Sequence, residues 1–349
     1  MYVEYVNARV HGMAGRLLDH HEFERLIAQT SVDGVIDELE KTPYRDDVLE
    51  ARTLHHGIHG VEYALRKNLG KTLRKIHDLT RGEESARYIT LFLKRWDIQN
   101  IKTILRGKNI QASPEEIAGC LIPAGTLDET TLVELLKQTD ARAVVDLLAT
   151  WHIEYSIPLT RYIGEFSAHR NLWKLEYALD QYYYRSALGQ CAGGRADDLI
   201  MSDFLGTEVD ATNLKNILIL VRDNIPPEEG ETVLLEGGKV FSHQQLAGMV
   251  RAQGIGDVLK NLEGTKYSFL CGVNPEVVSA CKVSAIEKEI DRFLIRKGIG
   301  LFRGDPLSFT IVIGFLWSKM NEITNIRVIA RAREAGLPDE VMEEETFYV

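Results

Sequence analysis

Two histidines four residues apart are the first place where this sequence could do chemistry. In "HHGIHG", His55 and His59 stand at i and i+4, a spacing at which two imidazoles on one helix face can share a metal ion. A metalloprotease helix would add a glutamate beside the first histidine, and any closed site needs a third ligand. The segment offers neither and reads as a solvated helix start. "HHEFER" at 20–25 has no second histidine at the needed spacing. "LLEGGKV" ends in Gly238-Lys239-Val240 and invites comparison with a phosphate-binding loop. That loop needs a glycine where Val233 stands and a hydroxyl where Val240 stands. "GIGLFRG" at 298–304 has two close glycines, the wrong third spacing and no preceding strand, so it reads as a loop between helices. Tyr182, Tyr183 and Tyr184 spread around a helix by its own period and form no cofactor box. No nucleophile is paired with a base. No residue is therefore assigned a catalytic, cofactor-binding or metal-binding role.

One polar pattern remains, and it occurs three times. "DIQNIKTILRGK", "DATNLKNILILV" and "NEITNIRVIARAREAG" each set an acid three residues before an asparagine, followed by an aliphatic residue and a base. The pairs are Asp97 with Asn100, Asp210 with Asn213, and Glu322 with Asn325, and the asparagines stand 113 and 112 residues apart. A second acid precedes each asparagine. Glu62, Glu176 and Glu287 lie 38, 37 and 38 residues upstream. A third landmark is shared by "FERLIAQTSVDGVIDEL" at 23–39 and "LVELLKQTDARAVVDLL" at 132–148, with a weaker copy at 246–262. "EKTPY" (40–44) and "EGTKY" (263–267) follow the first and third copies. Three landmarks in one order imply an internal triplication with a long period.

The elements that must position these pairs are helices. Apolar residues recur at i, i+3 and i+4, with a break expected near Ser31. A helix is expected over 171–190, and another starts near Ser113 and Pro114. The last reads from a cap at Asp305, with Pro306 in its first turn, to Gly336, with Pro338 beyond. Roughly 30 residues at about 1.5 Å each would make a rod of about 45 Å. Only "IPPEEGETVLLEGGKV" at 225–240 leaves a short strand or a loop open. Ile101, Ile104 and Leu105 form one stripe beside Asn100, as do Leu214, Ile217 and Leu218, and Ile326, Ile329 and Ala330. The acid falls on that stripe, and Lys102, Lys215 and Arg327 point roughly the other way. A carboxylate on a packed face needs partners. The pairs read as caps or inter-helix hydrogen bonds that fix docking; the competing reading is a ligand site of three pairs around an axis. The fold expected is all-α, as three similar helical domains over 1–112, 113–226 and 227–349.

Composition narrows the function classes. A chain of 349 residues, 45% apolar and 26% charged, can bury a large core. A formal charge of −10 argues against a nucleic-acid binder and permits a basic partner surface. Cys120, Cys191, Cys271 and Cys281 form no CxxC pair, which argues for a reduced setting and against a disulfide scaffold. The N-terminal segment has no apolar signal core, and "IVIGFLW" at 311–317 is too short to span a bilayer.

"YVNARVHGMAGRLL" at 5–18, "LKRWDIQNIKTILRGK" at 93–108 and "IGFLWSKMNEITNIRVIARAREAGLP" at 313–338 carry a resemblance to the C-subunit family of the archaeal and bacterial A-type (V-type) ATP synthases, relatives of the d-subunit of eukaryotic V-ATPases. The likeness extends over essentially the whole chain. It departs at Met320, where the family is expected to carry an acid after the lysine, so no role is carried over to that position. The resemblance implies a funnel-shaped, all-helical protein of three like domains around a pseudo-threefold axis. It implies a peripheral place on the cytoplasmic face of the membrane, against the ring of proteolipid (c/K) subunits. It further implies that the foot of the central stalk, made of the D and F proteins, is received as part of the rotor. ATP chemistry would belong to other members of a complex that couples ATP synthesis or hydrolysis to ion transport. The competing classes are a free-standing helical scaffold, which would show a shorter repeat, and an all-helical enzyme with a metal at His55 and His59.

Because "LLEGGKV" lacks both the first glycine and the hydroxyl, calorimetric titration at micromolar ATP should give no saturable binding. Saturation there would restore a nucleotide site to that segment.

Overall fold

A computed structural model describes residues 2–82, 86–273, 278 and 282–348, and every regular element among them is helical. Cys281 lies outside the described residues; Cys120, Cys191 and Cys271 carry free thiols. Six long helices organise the chain: α1 (Gly57–Thr80), α2 (Ala86–Asn109), α3 (Trp173–Gln190), α4 (Ala196–Arg222), α5 (Val283–Gly300) and α6 (Thr310–Glu334). Glu62, Glu176 and Glu287 sit on α1, α3 and α5, and the three asparagines sit on α2, α4 and α6. The chain divides into two compact units, one of residues 1–100, 115–133 and 298–349, the other of residues 101–114 and 134–297.

The first unit is built around α6. Residues 310–317 are buried without a break, so this half of the helix presents no solvent face. It packs on α1 and on the shorter helices Tyr2–Ala14, His20–Ile27 and Val32–Leu39. Close approach is possible because Gly314 lies against the backbone of Phe302, and Gly298 against the ring of Trp317. Gly336, at φ +67°, ends the helix as expected. Leu337 N–H reaches Ala332 O at 2.9 Å and Gly336 N–H reaches Arg333 O at 3.2 Å, which is the Schellman arrangement.

The start of α6 differs from the expectation. Asp305 and Pro306 precede the helix, which begins at Thr310 and has 25 residues, about 38 Å. Asp305 Oδ1 accepts from Leu307 N–H at 2.9 Å, closing a turn. The carbonyls of Pro306 and Ser308 accept from Asn7 Nδ2 at 2.7 and 3.0 Å, so they are engaged away from any helix ladder. The break near Ser31 is where it was expected: Ser31 Oγ caps the helix Val32–Leu39 by accepting from Gly34 N–H at 3.1 Å.

The second unit is built around α4, which packs on α3 and on the helices His243–Val250 and Ile255–Lys260. Leu214, Ile217 and Leu218 of α4 enter one core with Leu246, Val258, Tyr267 and Ile286. The 225–240 segment resolves to the loop alternative: a helical turn at Pro227–Gly230, a 3₁₀ turn at Glu231–Val233, then chain without a strand partner. Helices begin at Pro114 and Trp173, close to the expected starts. No described helix is long and apolar enough to cross a membrane.

Gly314→Val should cost about 2 kcal/mol, because the added carbons meet backbone atoms of Phe302 that no rotamer change can move aside. Denaturant unfolding checks this, and an unchanged midpoint would mean that the 301–303 segment gives way freely.

Candidate functional site

The three asparagines make the same contact. Asn100 Nδ2 donates to Ile122 O at 2.6 Å, and Ile122 N–H donates to Asn100 Oδ1 at 2.9 Å. Asn213 does the same with Leu235, at 2.9 and 2.8 Å. Asn325 does the same with Phe347, at 2.9 and 3.0 Å. The partner lies 22 residues downstream each time. A carboxamide has one donor edge and one acceptor edge, so it can pair with both polar groups of one residue's backbone. Aspartate would offer no donor and leucine neither group. All three side chains are buried. They join each long helix to a following segment rather than to another long helix.

The acids hold the next few residues of the same segments. Asp97 accepts from Thr126 N–H at 2.9 Å, Thr126 Oγ1 at 2.6 Å and Leu127 N–H at 2.9 Å. Asp210 accepts from Lys239 and Val240 N–H, both at 3.0 Å. Burial pushes the Asp210 carboxyl above its ordinary range; those N–H groups and Lys266, 3.8 Å away, pull the other way. A Cβ on Gly125 would overlap the Asp97 carboxylate, and one on Gly238 would overlap that of Asp210. This is the structural reason for the second glycine of "LLEGGKV", which seats a carboxylate of the chain itself; the first, Gly237, sits at φ +106° with its α-carbon against Leu188.

Glu322 differs from the other two acids, because its carboxylate takes the N–H of Leu18, from far upstream. Leu18 stands just before the helix cap Asp19, as Leu127 stands just before the cap Asp128. Glu322 Oε1 also accepts from Tyr44 Oη at 2.6 Å and Lys319 Nζ at 2.7 Å. Lys319 Nζ in turn reaches Tyr44 Oη at 2.8 Å and lies 4.2 Å from the ring centroid. Burial, then the adjacent Glu322 charge, holds the Tyr44 hydroxyl well above the usual phenol range. The sequence did not mark this cluster beyond the "EKTPY" and "EGTKY" match. Tyr267, the counterpart of Tyr44, donates to Thr207 O at 3.1 Å. Tyr155, 111 residues after Tyr44, is equally buried, in a segment that keeps only the tyrosine.

The nine stripe residues beside the asparagines are all buried. The bases behind them make ion pairs in two copies: Lys102 with Asp180 at 2.5 Å, and Lys215 with Asp291. The upstream acids pair one helical turn further on, Glu176 with Arg106 and Glu62 with Arg331, each at 2.5 Å. Glu287 is half-buried and makes no ion pair among the described residues; Ile219 stands where the other copies carry Arg106 and Arg331. His55 and His59 do not share a helix. His55 ends the helix Arg45–Leu54, Gly57 turns the chain at φ +57°, and His59 lies in α1. The i, i+4 chelate geometry is therefore broken, and the His55 ring packs on Tyr63 at 4.9 Å. No cluster of three metal-ligating side chains occurs among the described residues.

The geometry is that of a set of latches that hold the fold, with Asp210 Oδ1 buried and left without a hydrogen bond. Comparison with known proteins matches residues 6–345 to the family described as ATP synthase (C/AC39) subunit. The C-subunit of the A-type ATP synthase of Methanosarcina mazei is 30% identical over 349 residues, covering 99% of this chain and 92% of the relative. That of Halorubrum lacusprofundi is 30% identical over 343 residues, covering 98% and 96%. That of Methanocaldococcus jannaschii is 30% identical over 339 residues, covering 97% and 84%.

Asn213→Leu should lower unfolding stability by about 1 to 3 kcal/mol, because it strands the N–H and carbonyl of Leu235 away from water. An unmoved denaturant midpoint would mean that the Leu235 backbone finds water without cost.

Proposed function

The chain belongs to the ATP synthase (C/AC39) subunit family, and from that premise we propose that it is a non-catalytic socket in the central rotor of an A-type enzyme. In this reading it joins the D–F stalk on one side to the proteolipid ring on the other, at the cytoplasmic face of the membrane. The work is mechanical. Torque passes through a rigid adaptor, and the ATP chemistry lies elsewhere in the complex.

The observation that carries the reading is the whole-length family match on a chain whose own latches recur in threes. A thrice-written helix pair with one internal fastening supports three similar domains near 1–112, 113–226 and 227–349; their arrangement about a pseudo-threefold axis in a funnel is what the family resemblance implies. Such a body would offer like surfaces to a ring of many identical proteolipids. The fastenings suit a part that must carry load without yielding, since a buried paired amide resists local opening. The absence of a described helix that could cross a bilayer is compatible with peripheral attachment. A charge of −10 is suited to a basic stalk surface, with attraction that falls as the Debye length shortens from about 10 Å at 0.1 M salt to about 3 Å at 1 M.

Reconstitution of the complex in ion-pumping vesicles tests the proposal. Without this chain, ATP hydrolysis by the catalytic head should persist while pumping is lost. Stalk binding by the isolated chain should weaken in high salt, and ring binding, where apolar burial dominates, should weaken less. Full coupled pumping without the chain would overturn the socket reading.

A further inference from the structure

The ion pair between the base two residues after the asparagine and an acid on another long helix is kept in two copies and replaced by two bases in the third. Lys102 meets Asp180 and Lys215 meets Asp291; each acid stands four residues after the aligned glutamates Glu176 and Glu287. Four residues after Glu62 stands Arg66. Arg327, the third base, therefore faces an arginine where its repeat counterparts face a carboxylate. Both guanidiniums line a cleft of about 320 Å³ in the first unit, together with Glu62, Trp96, Cys120 and Arg331. Burial pushes Arg66 and Arg327 below the ordinary arginine range.

The donors in this cleft are only partly used. Arg331 is paired with Glu62, and Arg66 donates from Nη1 to Ala118 O at 2.9 Å and Leu121 O at 3.4 Å and from Nε to Glu62 O at 3.4 Å. Arg327 makes no hydrogen bond or ion pair among the described residues. The indole Nε1 of Trp96 is buried without a hydrogen-bond partner. Three arginines against one glutamate leave a local charge of +2 in a chain whose total is −10. Partly desolvated like charges are costly unless an acceptor with negative charge completes them.

We propose that this cleft binds a tetrahedral oxyanion, either inorganic phosphate or the phosphate of a small monoester, held by Arg327 and Arg66. The charge decides between oxyanions. A carboxylate would neutralise one of the two surplus charges, whereas a phosphate carries about −1.5 to −2 at neutral pH. Its oxygens also match the guanidinium fork. The cleft exceeds the volume of one anion and lies at the small end of ligand-sized cavities, so it has room for a short ester. The site does not depend on the rotor assignment.

The test uses the full chain at constant ionic strength, with calorimetry and thermal melts in sodium phosphate, glycerol phosphate and acetate. Phosphate should bind saturably and raise the melting temperature. Arg327→Gln should weaken binding at least about tenfold. Arg66→Asp supplies the acid that the other two copies carry; it should abolish binding while holding or raising the melting temperature without phosphate, which separates loss of the site from loss of the fold. Glycerol phosphate binding more tightly than inorganic phosphate would identify an esterified ligand, and weaker binding the free anion. No saturable binding by the unsubstituted chain, an equal phosphate effect on Arg66→Asp, or acetate binding as tightly as phosphate would each overturn the proposal.

Discussion

A buried backbone cannot leave its N–H and carbonyl unpaired, and a loop running beside a helix has no ladder to supply partners. In this chain a single asparagine carboxamide supplies both partners for one residue of the loop, three times over. The rest of the packing follows from that constraint. Once Ile122, Leu235 or Phe347 is fixed, the acid one turn before the asparagine can collect the next free N–H groups within the same segment or, for Glu322, from Leu18. The apolar stripe on the same helix then has a defined surface to meet. Hydrogen bonds here contribute position more than energy, since each is worth only about 1 kcal/mol net while an unmade one costs more.

The three acids show how one role tolerates different chemistry. Asp97 and Asp210 are short and lie against glycines, so backbone N–H groups come to them. Glu322 is one methylene longer and reaches into a side-chain cluster with Tyr44 and Lys319. Its charge is balanced by a buried ammonium, and such a pair depends on tight geometry and on the added tyrosine hydroxyl. The chemistry diverged where the supply of backbone donors changed, and the asparagine beside it did not.

Much of this was legible in the residues, for a physical reason. Helical periodicity and the recurring acid-x-x-Asn are local signals, and the helices, the stripe and the break at Ser31 follow from them. The partners of the pairs were not legible, because backbone groups carry no sequence label. The glycines at 125 and 238 did carry a signal, each 28 residues after its acid. Asp305 and Pro306 have the composition of a helix start, yet the Asn7 amide, some 300 residues away in sequence, takes the carbonyls that a helix there would need. The histidine spacing failed for a local reason, since the positive φ at Gly57 divides the segment between two helices. Arg66 carries no local signal, because its basic character is unusual only against Asp180 and Asp291 at the equivalent places in the other copies.

The contact between Leu18 and Glu322 joins groups 304 residues apart in the chain. A ribosome adding about 5 to 20 residues per second separates their emergence by roughly 15 to 60 seconds. For that interval the first helices exist without the helix on which they pack, and Tyr44 without its carboxylate. The second unit, drawn from an internal stretch of chain, has all its own residues before α6 begins to appear. Vectorial synthesis therefore imposes an order on maturation. The middle of the chain can settle first, and the unit that brackets it closes only when α6 arrives.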